Sequence, residues 1–476
     1  MAKNKKGALL KTPTGISGLD EITNGGFPKG RPVLICGSAG CGKTLFAAQF
    51  LVKGITEFNE PGVFMSFEES ENDLTQNFKS LGFDFKKLKA ENKLRIDHVR
   101  IERSEIEETG EYDLEGLFIR LNYAIDSIGA KRVVLDTIES LFSGMENRAL
   151  LRSEIRRLFT WLKEKGVTAI ITGERGEKSL TRQGLEEYVS DCVILLDFRV
   201  IEQIATRRLR IVKYRGSTHG TNEYPFIIDE NGISVLPVTS LKLNYKSLTE
   251  IISTGLPALD HTFSTGGIYR ASSILITGHA GTSKTILAGH FAMSSCERKE
   301  PTLYFSFEES PDQLMRNMAT IGIDFKQAIK SKLLHIHASR PSLQGLEMHL
   351  IVLNKLLASI KPRTIIIDPI SSLVTIGNSN EVRSMLVRLM DTFKTNQVTA
   401  MFTSLTHDGP TEHHNVNVNA VSSLADTWID LKNEGRNNER VRSMLIVKSR
   451  GMGHSNNHQD FTITNKGIQF TNLNRI

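Results

Sequence analysis

Nowhere in its 476 residues does the sequence hold the run of about 18 apolar residues that a bilayer-spanning helix needs. Cysteine is scarce: Cys36, Cys41, Cys192 and Cys296 are scattered, with no CxxC pair and no histidine at zinc spacing. That leaves no disulfide framework and no zinc site by spacing, and suits a reducing cytoplasm. Only 13 prolines accompany 39% hydrophobic and 24% charged residues, which is a globular composition. No signal-peptide core is present either. Met1 to Lys11 carry four lysines and read as a short, flexible basic arm. The net charge of +6 is mild for this length, so it reads as a solvated basic surface, and nucleic acid is not an expected partner. What is left is a cytoplasmic chain long enough for about two domains.

The chain repeats itself. Thr14-Gly15-Ile16-Ser17-Gly18-Leu19-Asp20 returns as Thr254-Gly255-Leu256-Pro257-Ala258-Leu259-Asp260, and Gly25-Gly26 as Gly266-Gly267. Ser66-Phe67-Glu68-Glu69-Ser70 returns unchanged as Ser306-Phe307-Glu308-Glu309-Ser310. Arg152-Ser153, Val167-Thr168-Ala169 and Lys213-Tyr214-Arg215-Gly216 return as Arg383-Ser384, Val398-Thr399-Ala400 and Lys448-Ser449-Arg450-Gly451. The order never changes and the spacing is that of a whole domain, so a domain has been duplicated. The expected organisation is an arm over 1–11, a first domain over 12–240, a polar, lysine-bearing linker over 241–250 and a second domain over 251–476. Within each copy short apolar runs alternate with helical periodicity, the pattern of an α/β domain with a mostly parallel sheet flanked by helices. Strands are expected at Leu34–Gly37, Val63–Phe67, Val133–Asp136, Ala169–Gly173 and Val193–Leu196. Leu151, Ile155, Leu158, Phe159 and Leu162 share one helical face, and Gly166 can end that helix.

Gly37-Ser38-Ala39-Gly40-Cys41-Gly42-Lys43-Thr44 fits GxxxxGK[ST] between an apolar strand and an apolar helical segment, the context this phosphate-binding loop requires. Its glycines let backbone N–H groups close on phosphate oxygens at a helix N-terminus. Lys43 is expected on the β and γ phosphates of ATP and the Thr44 hydroxyl on Mg²⁺. The second copy, Gly278-His279-Ala280-Gly281-Thr282-Ser283-Lys284-Thr285, has Ser283 where the pattern has glycine, so altered affinity or turnover is expected there. Asp136 and Asp368 each end an apolar strand downstream of a loop, where an acid holds the metal's water shell beside Thr44 and Thr285. Glu68-Glu69 and Glu308-Glu309 are candidate catalytic pairs, one acid acting as base and its neighbour tuning it.

Taken together, the Thr-Gly-x-x-x-Leu-Asp opening, the Gly-Gly turn, the phosphate loop and Phe-Glu-Glu-Ser resemble the KaiC family, a branch of the RecA-like ATPases. So do Thr172-Gly173-Glu174-Arg175-Gly176, Tyr188-Val189-Ser190-Asp191 and Lys213-Tyr214-Arg215-Gly216. The similarity to the family's double-domain form runs from about Thr12 to Gly467. It implies two tandem RecA-like P-loop domains and a homohexamer of two stacked rings, with ATP between adjacent subunits. It also implies slow ATP hydrolysis in the N-terminal ring and reversible autophosphorylation in the C-terminal ring. Lys213 and Arg215, with Lys448 and Arg450, match the family's Lys-x-Arg that reaches the next subunit's γ-phosphate, where a cation in trans stabilises developing charge. Ser422 and Ser423, just before Asp426-Thr427, match the phosphorylated pair. Aligning Asp191 with Asp426 sets Glu187 and Tyr188 opposite them, which fits one ring built for hydrolysis and the other for phosphoryl transfer. Clock members of the family extend further, in a tail that an activator captures. A KaiA-type activator is therefore expected to find little to hold before Ile476, whereas a KaiB-type partner fits the N-terminal ring.

His407, His413 and His414 are too loosely spaced for a metal site and read as a solvated loop. Cys41 sits at a helix N-terminus, where a thiolate is favoured, so redox inhibition is an expectation. A recombinase-like reading needs basic residues interleaved with aromatics, and Glu174-Arg175-Gly176-Glu177-Lys178-Ser179 has no aromatic. A second rival is a scaffold in which ATP only joins subunits.

Overall fold

The computed structural model describes residues 9–99, 114–141, 148–176, 180–181, 190–201, 204–237, 247–343, 345–377, 379–406, 422–436 and 439–471. The chain divides into two compact units, Met1–Ser240 and Leu241–Ile476. Each is built on a nine-stranded sheet. In the first unit the sheet runs Gly232–Val235, Glu223–Asp229, Ile204–Tyr214, Cys192–Ile201, Pro32–Gly37, Thr168–Glu174, Arg132–Asp136, Gly62–Ser66 and Leu94–His98. The six strands from Cys192–Ile201 onward are parallel, and the first three are added antiparallel. The second unit runs Leu334–Ala338, Thr302–Ser306, Thr364–Asp368, Thr399–Leu405, Ser273–Gly278, Thr427–Arg436, Glu439–Ser449, Gln459–Thr464 and Gly467–Phe470.

The continuous apolar runs of the parallel strands follow from burial on both faces. Val33 and Ile35 join one core with Phe64, Val134, Ile170 and Ile194, while Leu34 and Cys36 join the other with Val63, Met65, Val133, Leu135 and Ile171. The helix Lys43–Phe58 fills the first core with Phe46, Phe50, Leu51 and Ile55. Leu151, Ile155, Leu158, Phe159 and Leu162 of the helix Arg148–Glu164 fill the second. Each such side chain stabilises by about 1.5–3 kcal/mol. Gly166, at φ 68°, ends that helix, its N–H donating to Lys163 O at 3.0 Å.

The repeated opening motif is a local brace. Asp20 Oδ1 accepts from Thr14 N at 2.9 Å and Thr14 Oγ1 at 2.7 Å, and Asp260 Oδ1 accepts from the same atoms of Thr254 at the same distances. Two residues next to the expected domain bounds are tied to the fold. Lys11 pairs with Pro28, and its ammonium lies over the Tyr214 ring and donates to Ser217 Oγ at 2.7 Å. Arg270 binds the two oxygens of Glu250 at 2.6 and 2.8 Å. Among the described residues no helix is long and apolar enough to cross a membrane.

Candidate functional site

The strand Pro32–Gly37 is central, flanked by Thr168–Glu174 on one side and Cys192–Ile201 on the other. In open α/β sheets, ligands enter at the carboxyl ends beside such a reversal of strand order. Gly37 through Gly42 lead there into the helix that begins at Lys43 and Thr44. Gly42 turns the chain at φ 103°, ψ 21°, left-handed backbone in which a β-carbon would also lie 3.0 Å from Ile228 Cδ1. Lys43 Nζ donates to the carbonyls of Gly37 at 3.0 Å and Ser38 at 3.1 Å.

Asp136, at the carboxyl end of Arg132–Asp136, is buried beside this loop and hydrogen-bonded by Thr172 and Thr44. Burial pushes its carboxyl above the usual range; those two hydroxyls oppose the shift, and the charges of Glu68 and Glu69 add to it. Glu68 accepts from Thr137 Oγ1 at 2.8 Å and Ser140 Oγ at 2.6 Å. Glu69 instead accepts from Asn77 Nδ2 at 3.0 Å. The expected pair is thus held by two different sets of partners.

The second unit repeats the arrangement with substitutions. Lys284 Nζ donates to Gly278 O at 2.7 Å and His279 O at 2.8 Å. Burial pulls its pKa down, against the charges of Asp368, Glu308 and Asp430. Ser283 takes the left-handed turn, at φ 82°, ψ 26°. Asp368 accepts from Thr403 and, at 2.6 Å, from Tyr304. Glu308 accepts from Ser372 Oγ at 2.8 Å and Glu309 from Asn317 Nδ2 at 3.3 Å. Burial pushes Glu309 upward, Asn317 opposes this, and Asp368 and Glu308 add to it.

Lys213 and Arg215 are not brought to their own loop. Gly37 pairs with Leu196, whereas Lys213 pairs with Val193, and Arg215 N donates to Asp191 O at 2.9 Å. They therefore lie three to five strand residues, roughly 10–16 Å, towards the amino ends of the central strands. The Arg215 guanidinium, half exposed, is 3.5 Å from Asp191. Lys448 and Arg450 repeat this offset: Gly278 pairs with Leu431 but Lys448 with Trp428. Lys448 Nζ donates to Ser422 O at 2.5 Å and Arg450 to Ser423 O, so the two cations and the two serines form one cluster.

Cys41 is fully buried, and burial raises its thiol pKa despite Lys43 and backbone N–H groups nearby. Desolvation outweighs the helix terminus there, which disfavours the thiolate that the redox expectation needs. His407, His413, His414, Glu187 and Tyr188 lie outside the described residues. Sequence reasoning missed Thr172 and Thr403, Asn77 and Asn317, and Lys163 and Lys394, which reach Asp191 at 2.6 Å and Asp426 at 3.1 Å. Each pair recurs at matching positions of the duplication, and that recurrence is the signal that would have found them.

Comparison with known proteins adds the identity of this arrangement. The family model of the KaiC ATPase matches twice, over residues 12–240 and 252–475. The chain belongs to the KaiC family. A KaiC2 of Synechocystis sp., named a circadian clock protein, is 55% identical over 461 residues, covering 97% of this chain and 81% of the relative. The KaiC of Synechococcus elongatus, named a circadian clock oscillator protein, is 37% identical over 475 residues, covering 98% and 91%. That of Thermostichus vulcanus is 37% identical over 463 residues, covering 97% and 89%. Two tandem RecA-like units that bind and hydrolyse ATP are what KaiC membership means for this chain.

Proposed function

We propose that this chain is a clock-type regulatory ATPase that hydrolyses ATP slowly at its first site and phosphorylates itself on Ser422, Ser423 or both through its second. The clock names of its relatives support the setting. It works as a hexamer of two stacked rings in the cytoplasm, which four buried cysteines that form no disulfide suit. A KaiB-like protein is the partner expected on the N-terminal ring.

At the first site the loop N–H groups and Lys43 hold the phosphates. Thr44 and Asp136, hard oxygen donors in hydrogen-bonded contact, fit Mg²⁺. That ion, when bound, neutralises phosphate charge. Glu68 takes the proton of the attacking water, and the Thr137 and Ser140 hydroxyls hold its carboxylate in one orientation. At the second site Lys284, Thr285 and Asp368 hold nucleotide and metal. Glu308 takes the serine proton, the serine oxygen bonds the γ-phosphorus, the bond to the departing ADP oxygen breaks, and Glu309 tunes the base. Lys448 and Arg450 steady the charge, and the product phosphate adds about −1.5 to −2 charge beside them.

One observation carries the reading: the serine–cation cluster lies at the opposite ends of the central strands from the phosphate loop of its own unit. A donor ATP must then come from another copy. Mixing Lys284→Ala chains with Ser422→Ala/Ser423→Ala chains tests this by phosphopeptide mapping after incubation with Mg-ATP. Phosphate is expected on the serines of the Lys284→Ala chains. Unmodified serines in the mixture, with wild type modified, would mean transfer within one chain.

A further inference from the structure

The two units differ at one buried hydroxyl beside the strand-end aspartate. Tyr304, on the strand Thr302–Ser306, is fully buried and donates to Asp368 Oδ2 at 2.6 Å, while Thr403 donates to Oδ1. Protein hydroxyls thus hold both oxygens of this carboxylate. In the first unit Phe64 faces Val134 in the register that Tyr304 and Ile366 occupy in the second. Phe64 is equally buried, so the packing at this position does not require the hydroxyl. Asp136 takes its side-chain donors from Thr172 and from Thr44 of the phosphate loop itself.

We propose that Tyr304 is a positioning residue: its phenol locks the Asp368 carboxylate for the divalent cation of the second nucleotide site, so that metal binding there depends on a group the first site lacks. This rests on the reading of Asp368 as the acid that holds the metal's water shell.

The physical basis is orientation. A carboxylate has about four acceptor positions, so one bond to each oxygen leaves the outward positions open and sets the plane in which they point. Tyr304 is a rigid donor: its backbone lies in a strand paired on both sides, and its ring centroid is 6.2 Å from that of Phe325. Thr403 alone would hold one oxygen and leave the carboxylate free to turn about that bond. Outer partners that orient metal-binding groups typically matter about 10–100-fold in metal affinity when removed.

The test counts bound Mn²⁺, a spectroscopic substitute for Mg²⁺, by electron paramagnetic resonance on the full chain with a non-hydrolysable ATP analogue. Two classes of ion per chain are expected. Tyr304→Phe, which installs the side chain the first unit already carries, should weaken one class about tenfold or more and leave the other unchanged. Analogue affinity measured in EDTA should not move, which separates a metal-positioning role from one in packing. Asp368→Asn should remove the same class altogether. If Asp368→Asn removes one class and Tyr304→Phe shifts none, the inference is wrong. An equal loss of metal-free analogue affinity in Tyr304→Phe would also overturn it. If Asp368→Asn removes no class, the assignment of Asp368 itself fails instead.

Discussion

Ser283 and Gly42 occupy the same left-handed turn before the phosphate-loop lysine, Ser283 at φ 82°, ψ 26° and Gly42 at φ 103°, ψ 21°. A residue with a β-carbon costs about 1–2 kcal/mol there. Glycine relieves that cost but gives back about 0.4–1 kcal/mol through the freedom of the unfolded chain. Ser283→Gly should therefore stabilise the protein by up to about 1.6 kcal/mol, and Gly42→Ser should destabilise it. Urea unfolding of both variants checks this, and a destabilised Ser283→Gly protein would contradict the account of the turn.

Glu68, the base proposed for its pair, is held at one oxygen by donors from both Thr137 and Ser140. Glu68→Gln should keep ATP binding and lower steady-state hydrolysis by about 10²-fold or more. Lys43→Ala should lose most turnover at the first site. Wild-type turnover in Lys43→Ala, with loss in Lys284→Ala, would transfer hydrolysis to the second unit.

Arg215 lies away from its own phosphate loop but leaves Asp191 well paired when removed, because Lys163 stays 2.6 Å from that carboxylate. Arg215→Ala should fold and assemble normally. If Arg215 is the cation in trans proposed for a neighbouring site, a role worth about 10³-fold or more in rate, its turnover should drop steeply. Mixed with Lys43→Ala chains it should regain part of the activity, because some interfaces then carry both intact halves. No recovery at any ratio would argue for sites contained within one chain.

His349 is fully buried on the helix Leu346–Ile360, its Nε2 3.1 Å from Pro341 O and its ring edge-on to Phe307 at 5.3 Å. Burial pulls its pKa down, and nearby His337, itself pulled down by burial, adds to the shift. The unfolded chain takes up these protons at about pH 6.5, while the folded chain resists them to lower pH. Below about 6.5 the unfolded state therefore binds more protons, and stability falls as pH falls. Urea unfolding at pH 7 and pH 5 should show that loss, and His349→Leu should flatten it. An unchanged slope would mean that other groups carry the acid sensitivity.

Much of this was legible in the order of residues because its signals are local. Glycines spaced before Lys43, apolar runs of strand length and a block such as Phe67-Glu68-Glu69-Ser70 repeated near Phe307 need no knowledge of the fold. From them came the duplication, the α/β class and the family. The contacts of Lys11 and Glu250 were not legible, because their partners, Tyr214 and Ser217 for one and Arg270 for the other, are distant in sequence.

What the sequence alone determined, then, was the two copies, their phosphate loops and the acids that follow them. Only the tertiary structure decided that Lys448, Arg450, Ser422 and Ser423 gather at the strand ends away from their own loop, that Cys41 is desolvated, and that Tyr304 rather than a phenylalanine meets Asp368. The physical reason is that these relationships run across strands. Strand order and register set them, and a periodicity of apolar residues shows which face a side chain takes but not which strand lies beside it.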